Sequence, residues 1–135
     1  MLKTITTIAL CLFVVPILIG QNSEKITSKS PNSPVLTIVD TPPEFIGGEI
    51  ALYTFVYQKL KFPSDPEMVE CTVYIEFIVN EDGSLSNIGV KRGFSTAYNE
   101  EAVRVVASMP KWRSGKHEGQ PRRVARVLPI RFKLF

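Results

Sequence analysis

Apolar residues at every second position from 71 to 79 are the feature that most limits the folds open to this 135-residue chain. A period of two is the period of a β-strand, and it buries one face of that strand. The segment NEDG follows, and its Gly83 can take the positive φ of a tight hairpin before the apolar pattern resumes. Glu81 and Asp82 belong to this turn, which explains them better than a paired-carboxylate active site. The pattern predicts a β-hairpin whose first strand is central, with an apolar face formed by Cys71, Val73, Ile75, Phe77 and Val79.

Apolar residues recur at helical spacing on both sides of this hairpin. The first helix is predicted to end before Pro63, which cannot continue it. The second begins at Ser95 or Thr96, either of which can cap it, and Pro110 ends it. The apolar stripes are Leu52, Phe55, Val56 and Leu60 in the first helix, and Tyr98, Ala102, Val105 and Met109 in the second.

A last strand is predicted near the end of the chain, in RRVARVLPIRFKLF. Pro129 has no N–H to give to a neighbouring strand, so a strand that carries it belongs at the edge of a sheet. The order helix, hairpin, helix, strand therefore predicts an α+β fold: a three-stranded antiparallel sheet with two helices on one face. The last strand would flank the first hairpin strand as an edge, with Leu128, Ile130, Phe132 and Leu134 facing one way and Pro129, Arg131 and Lys133 the other.

The first twenty residues predict a targeting segment. They join a basic start to an apolar run of 17 residues, and Gly20 is placed for cleavage before Gln21. A membrane span needs about 20 apolar residues, so the run favours a cleaved signal peptide over a short N-terminal anchor. Residues 21–40 are polar and rich in Ser and Pro, as in a flexible linker, and the folded domain is predicted over residues 41–135. Cleavage would leave one cysteine, which fits export to a bacterial periplasm.

Residues 109–123 hold five Lys/Arg, the only His and the only Trp of the chain. The last 40 residues carry nine Lys/Arg against three Asp/Glu, whereas the rest carry seven against ten. A basic face with aromatic stacking would suit nucleic acid, but a targeting segment argues against that partner. We interpret the stretch as a joint into the last strand. In it Trp112 packs on the domain, Gly115 and Gly119 supply flexibility, and the cations form a rim that steers an acidic partner.

Catalytic constellations are not evident, and the chain is predicted to be neither an enzyme nor a holder of a cofactor or metal. His117 is the only histidine, so a Cys-His dyad could only join it to Cys71, which lies in a predicted buried strand. Ser114 lies near His117 in a loop without an acidic residue to orient the imidazole. The sequence also has no phosphate-binding or dinucleotide-binding glycine pattern.

Five motifs, in order and without a large gap, carry a resemblance to a known family. They are PEFIGGEIAL before the first helix, KFP after it, VYIEFIVNEDGSLSNIGVKRG for the hairpin, NEEAVRVVASMPKWRSGK, and GQPRRVARVLPIRFKL. With them the chain from about residue 41 onward resembles the TonB C-terminal domain in the form common among Bacteroidetes. Ile46 stands where that family usually has Pro before Gly-Gly, and Ser114 where Pro usually follows the Trp segment. Neither position carries chemistry.

The resemblance implies a protein-binding module of the periplasm. Such domains capture the short TonB box of outer-membrane TonB-dependent receptors by adding it as a strand beside their own last strand, in TonB-dependent transport. Pro129 would limit the register of such pairing because it offers no donor. On this sequence the partner-binding surface would be Val124, Ala125, Arg126, Val127, Leu128, Pro129, Ile130 and Arg131.

The N-terminal region departs from a full energy transducer of this family. The family's link to the proton-motive ExbB–ExbD complex runs through a membrane helix and a long spacer. Here the candidate anchor is short and the spacer covers only residues 21–40. An exported periplasmic module and an inner-membrane-anchored partner of ExbB–ExbD both stay open. The alternative function is a secreted or periplasmic accessory protein that uses the same edge without proton-motive-force coupling, and a homodimer through that edge is also open.

Overall fold

The predicted hairpin forms, and its first strand lies inside a mixed sheet. The computed structural model describes residues 32–64 and 69–134. Two helices and five strands follow one another as β1 (Val35–Leu36), α1 (Gly48–Lys59), β2 (Cys71–Val79), β3 (Leu85–Arg92), α2 (Thr96–Ala107), β4 (Gly115–His117) and β5 (Gln120–Phe132). The α+β class is confirmed. The sheet has five strands rather than three because β1 and β4, of two and three residues, are too short to leave a periodic pattern.

β2 is central, with β3 and β5 antiparallel on its two sides, in the strand order β1-β5-β2-β3. Its ladder with β5 is unbroken from Cys71 opposite Phe132 to Val79 opposite Val124. This register places the apolar residues of both strands on one face. Leu134 was predicted to share that face, but it lies beyond β5 and is 42% exposed. The buried residues of the face are Val73, Ile75, Phe77, Val79, Val124, Leu128, Ile130 and Phe132.

The turn between β2 and β3 requires a glycine at position 83 for two reasons. Gly83 has φ of 83°, which favours a residue without Cβ, and its N–H donates to the Asn80 carbonyl at 2.9 Å. A Cβ at Gly83 would also overlap the carbonyl of Trp112. The Asp82 carboxylate accepts a hydrogen bond from the Ser84 N–H at 3.0 Å. Asp82 thus stabilises the turn, as the sequence predicted.

Both helices cover the apolar face of the sheet. Tyr98 and Ala102 of α2 are fully buried, and Met109, the last residue of the predicted stripe, is partly buried against the core. Full burial of a large apolar side chain contributes about 1.5–3 kcal/mol, so this face supplies most of the folding free energy. The residues that the helices bury are Leu52 and Val56 from α1, and Tyr98, Ala102, Val105 and Val106 from α2.

Aromatic contacts connect α2 to the end of β5. The rings of Tyr98 and Phe132 lie 4.9 Å apart and nearly perpendicular, and Phe62 packs edge-on against both. The Tyr98 hydroxyl accepts a hydrogen bond from the Val69 N–H at 3.2 Å, which satisfies the polar end of a buried ring. These contacts fix the chain just before β2 and the last residues of β5 together.

The predicted targeting segment, residues 1–20, and the linker up to residue 31 lie outside the described residues. In the described ranges, no helix is both long and apolar enough to cross a membrane. Val35 and Leu36, within the segment predicted as a linker, pair in parallel with Arg123 and Val124 of β5.

Candidate functional site

The outer side of β5 is open along most of its length. β1 and β2 lie on opposite sides of β5, and β1 reaches only Arg123 and Val124. From Ala125 to Phe132, no strand in the described part of the chain pairs with β5 on the side away from β2. Of the predicted partner-binding residues, Val124 therefore already has a strand on both sides, whereas Ala125 to Arg131 have one only on the β2 side.

Pro129 identifies which backbone groups face outward. It lies opposite Tyr74 in the unbroken ladder, a position a proline tolerates when its nitrogen faces away from the partner strand. The N–H of Leu134, an odd number of residues further on, donates to the Glu70 carboxylate just before β2, at 3.0 Å. Successive amides of a strand point to opposite sides, so residues in phase with Pro129 present their N–H and C=O outward. These residues are Ala125, Val127 and Arg131, with Pro129 presenting only its carbonyl.

Side chains of the predicted binding residues divide by face. Leu128 and Ile130 point into the core and are at most 2% exposed, and their N–H and C=O groups face β2, so they offer a partner neither side chain nor backbone. Val127 is 41% exposed, and Ala125 and Arg131 are also exposed. A partner strand would therefore meet the side chains of the outward-facing set.

A groove of about 350 Å³ adjoins the open part of β5. Tyr53, Val56 and Tyr57 of α1 line it together with Pro129 and Arg131 of β5. The two tyrosines are 41% and 50% exposed. The open edge of β5 thus forms one wall of the groove, and α1 forms the other.

Sequence reasoning missed this wall because it assigned α1 a single apolar face. Ile50, Tyr53 and Tyr57 follow helical spacing on the solvent side, and Ile50 is 84% exposed. Apolar residues on both sides of a surface helix are the signal that could have indicated a binding surface.

Arg126 fastens the start of the open edge to the rest of the domain. Its Nη1 donates to the Pro43 carbonyl at 2.8 Å, and its guanidinium lies 5.2 Å from the centre of the Trp112 ring. Trp112 is 3% exposed, its ring packs edge-on against Phe45 and Phe77, and its backbone N–H donates to the Gly83 carbonyl at 2.8 Å. The predicted packing of Trp112 on the domain is confirmed, and residues 109–119 connect α2 to β5, with β4 between them. A buried Trp112 also cannot stack on a nucleic-acid base.

Two other predictions about this joint change. Gly115 is buried, and a Cβ there would lie 2.7 Å from Val124 Cγ2, so the glycine permits close packing and the prediction of flexibility there is wrong. Gly119, with φ of 73°, belongs to the turn between β4 and β5. Arg123 donates to Asn80 Oδ1 at 3.1 Å and to the Ser33 carbonyl at 2.9 Å. Arg123, one of the cations predicted to form the rim, therefore stabilises the fold through these hydrogen bonds.

The only candidate catalytic pair lies at opposite ends of β5. Cys71 is opposite Phe132, whereas His117 is opposite Gln120, and twelve residues of strand span about 40 Å. Burial raises the pKa of the Cys71 thiol, which keeps it in the unreactive protonated form. In residues 32–64 and 69–134, no group of three or more His, Cys, Asp or Glu could hold a metal ion.

The structure is a small α+β domain whose last strand leaves a regular edge open beside an apolar groove. Comparison of the sequence with protein families makes the assignment specific. The profile of the family described as Gram-negative bacterial TonB protein C-terminal matches residues 66–134, and the chain belongs to this family. Neither the curated proteins nor the solved structures contain a match.

Family membership gives the chain a TonB-like role in TonB-dependent transport in the Gram-negative envelope. The family is one of transport and interaction modules that contact outer-membrane receptors. Its Bacteroidetes form stays a prediction from the sequence motifs.

Proposed function

We propose that this chain captures the TonB box of outer-membrane receptors in the periplasm by adding it as a strand to β5 between Ala125 and Arg131. The observation that carries the proposal is the open edge itself. This part of β5 lies within nine consecutive pairs with β2 on its inner side, and between Ala125 and Arg131 no other strand of the described residues covers its outer side. Extended peptides bind such edges through main-chain hydrogen bonds.

Backbone pairing alone supports only part of the expected affinity. The outward residues offer three N–H and four C=O groups, and a hydrogen bond contributes about 1 kcal/mol net. Seven such bonds give about 7 kcal/mol, whereas a micromolar complex requires about 8 kcal/mol. Ordering the peptide adds a further cost. Side-chain contacts must therefore contribute to capture of the partner.

Capture can be tested with the full-length chain, kept in mild detergent because of its apolar N-terminal segment. Peptides copied from the N-terminal TonB boxes of receptors should bind with micromolar affinity or better by calorimetry. Val127→Pro should weaken binding at least tenfold because it removes an outward donor. Val127→Thr keeps the backbone donor and should bind as the parent does.

Equal binding by the proline variant and the parent would place the peptide elsewhere on the domain. Circular dichroism should show that the proline variant keeps its fold. If that variant unfolds, hydrogen exchange on the parent decides the matter: the peptide must slow exchange of the Ala125, Val127 and Arg131 amides. Exchange unchanged at all three excludes strand addition.

Export and energy coupling form a separate part of the proposal. We infer a periplasmic location, with the mature chain starting near Gln21, from the targeting segment and the short spacer. The mass of the mature chain and its cell fraction test this inference. An intact Met1 in the inner membrane would overturn cleavage and favour coupling to ExbB–ExbD. A soluble mature chain that binds no TonB box would favour the accessory-protein alternative.

A further inference from the structure

β1 lies on the same side of β5 as the open edge. It pairs in parallel with Arg123 and Val124, on the side of β5 away from β2. The edge proposed for a partner strand begins at the next residue, Ala125. Val124, which the sequence predicted as part of the partner-binding surface, is therefore covered by a segment of the chain itself. β1 and a partner strand would use adjoining parts of one edge.

Pairing of a partner with Ala125 requires β1 to leave. Leu36 is opposite Val124, and residues of a strand follow one another at about 3.3 Å. A partner residue opposite Ala125 would therefore lie about 3.3 Å beyond Leu36, where only a residue bonded to Leu36 fits. Because β1 is parallel to β5, the chain also leaves β1, at Thr37, in the direction of the open edge. β1 and a strand paired at Ala125 thus exclude each other.

β1 is a weak contact compared with the strand that would replace it. It has two residues, Val35 is 39% exposed, and neither residue belongs to the buried core. Parallel pairing is also slightly less stable per residue than antiparallel pairing. Arg123 adds a hydrogen bond from Nη1 to the Ser33 carbonyl at 2.9 Å. A partner strand that runs from Arg123 to Arg131 would pair with a much longer part of β5, so it can replace β1 with a gain in backbone hydrogen bonds.

The chain after β1 is fastened independently of the open edge. The Asp40 carboxylate accepts a hydrogen bond from the Glu118 N–H at 2.8 Å. Thr41 and Lys116 exchange two backbone hydrogen bonds, of 3.0 and 2.8 Å. These contacts hold the chain against β4 and the turn before β5, and they use no group of residues 123–131. Departure of β1 would therefore release the segment before residue 40 and leave the rest of the domain folded.

We propose that β1 is an autoinhibitory strand. In the free chain it covers Arg123 and Val124 and blocks pairing at Ala125, and a partner strand displaces it on binding. Displacement frees residues 32–39 from the domain, so capture of a partner is coupled to release of the segment that precedes the domain. This inference rests on the proposed strand addition and extends it by a competition within the chain. The shared side of β5 and the steric exclusion at Ala125 carry it.

A disulfide that locks β1 onto β5 tests the competition in the full-length chain. Val35→Cys and Arg123→Cys are opposite each other in the ladder. Adjacent strands are about 4.8 Å apart, which lies within the range of about 4.4–6.8 Å between the Cα atoms of a disulfide. Cys11→Ser and Cys71→Ser remove the other thiols. The oxidised chain should bind peptides copied from receptor TonB boxes at least tenfold more weakly than the same chain reduced, by calorimetry.

A proline in β1 should act in the opposite direction. Leu36→Pro removes one of the two N–H groups of this strand and weakens its pairing with β5. We expect the variant to bind the same peptides about tenfold more tightly than the parent. Ile38→Pro introduces the same ring outside β1, at a residue that is 86% exposed, and it should bind as the parent does.

Hydrogen exchange on the parent shows whether β1 leaves. Bound peptide should slow exchange of the Val127 amide and speed exchange of the Leu36 amide. A Leu36 amide that stays as protected as in the free chain would overturn displacement. Equal binding by the oxidised and reduced chains, with binding lost in Val127→Pro, would overturn autoinhibition and leave strand addition standing. No binding of any peptide by the reduced chain and the parent would overturn both.

Discussion

The two outer edges of the sheet, β3 and the open part of β5, differ in regularity. The ladder between β2 and β3 shifts register twice, between Tyr74 and Ile75 and between Glu76 and Ile78. Asn87 of β3 also has a positive φ, 50°. The ladder between β2 and β5 has nine consecutive pairs without a shift. Only one of the two edges is thus a straight template for another strand.

This difference indicates how the domain limits pairing to one edge. Bulges bend and twist a strand, and natural proteins use them with charged residues to protect exposed edges. β3 has both, since it ends in the exposed Lys91 and Arg92. β5 instead keeps a regular backbone and adjoins a groove. The regular edge of β5 is the one proposed above for binding, and β3 has the features of a protected edge.

The largest effect should come from the residue on which both edges depend. The ring of Trp112 packs against Phe77 of β2 and Arg126 at the start of the open β5 edge, and its backbone N–H contacts the β2–β3 turn at Gly83. Trp112→Ala should lower the free energy of unfolding by about 3–5 kcal/mol, as for other buried aromatics, measured by urea denaturation. Val90→Ala on β3, where the side chain is 38% exposed, should cost under about 1 kcal/mol. Equal losses would show that Trp112 is not a shared support.

A smaller effect should separate the β5 edge from the β3 edge. Arg126→Met keeps the apolar stem but loses the hydrogen bond to the Pro43 carbonyl and the contact with Trp112. We expect a loss of about 2 kcal/mol in urea denaturation. Lys91→Met on β3 removes an exposed cation and should change stability by less than about 0.5 kcal/mol. If Arg126→Met left the free energy of unfolding unchanged, the guanidinium would not contribute to holding the open edge of β5 against the domain.

The backbone irregularity of β3 can be tested directly. Asn87 tolerates its positive φ, whereas a β-branched residue does not, so Asn87→Val should cost about 1 kcal/mol. Val127→Thr on the extended β5 edge should change stability by less than about 0.5 kcal/mol. Thermal unfolding of both variants provides the measurement. Unchanged stability of Asn87→Val would indicate that β3 can straighten at little cost.

The smallest effect concerns the contact that holds the end of α1, the helix that lines the groove beside the open edge of β5. The Glu101 carboxylate accepts hydrogen bonds from the Lys61 N–H, just after α1, and from Arg104. Its hydrogen bond with Arg104 is the main reason that the pKa of Glu101 is lowered, so the carboxylate stabilises the folded chain above its unfolded pKa of about 4.3. That contribution is lost as the pH falls through the folded pKa.

Glu101→Gln should therefore destabilise the chain at pH 7 by less than about 1 kcal/mol, and the difference from the parent should vanish in acid. Glu100→Gln is the matched change at an exposed neighbour, and its effect should be smaller. Denaturation at pH 7 and pH 3 measures both. A constant difference between Glu101→Gln and the parent at the two pH values would contradict the ionic role.

Long periodic segments were predictable from the sequence, and short or paired features were not. Alternation at residues 71–79 and the proline at 129 predicted a central strand and an edge strand. Nothing in Val35–Leu36 indicates which strand it joins, because two residues define no period. The register shifts of β3 arise from how β2 and β3 pair, and neither strand's own sequence displays them.

The candidate site was predictable in part for the same reason. Pro129 indicated an edge because its missing donor is a local property. The groove depends on α1 lying beside β5, which is a tertiary fact, so the sequence could show Tyr53 and Tyr57 on a second apolar side of α1 but not what that side adjoins. Their exposure is what distinguishes them from Leu52 and Val56 on the same helix.

The open edge from Ala125 to Arg131 also has a mechanical consequence. A strand bound there runs along β5, so tension applied along its axis loads all of its hydrogen bonds at once, in shear. Tension applied across the sheet would instead open them one at a time, like a zipper. Because forced separation is governed by the rate of bond opening, the same complex would hold long against an axial pull and release quickly when peeled sideways.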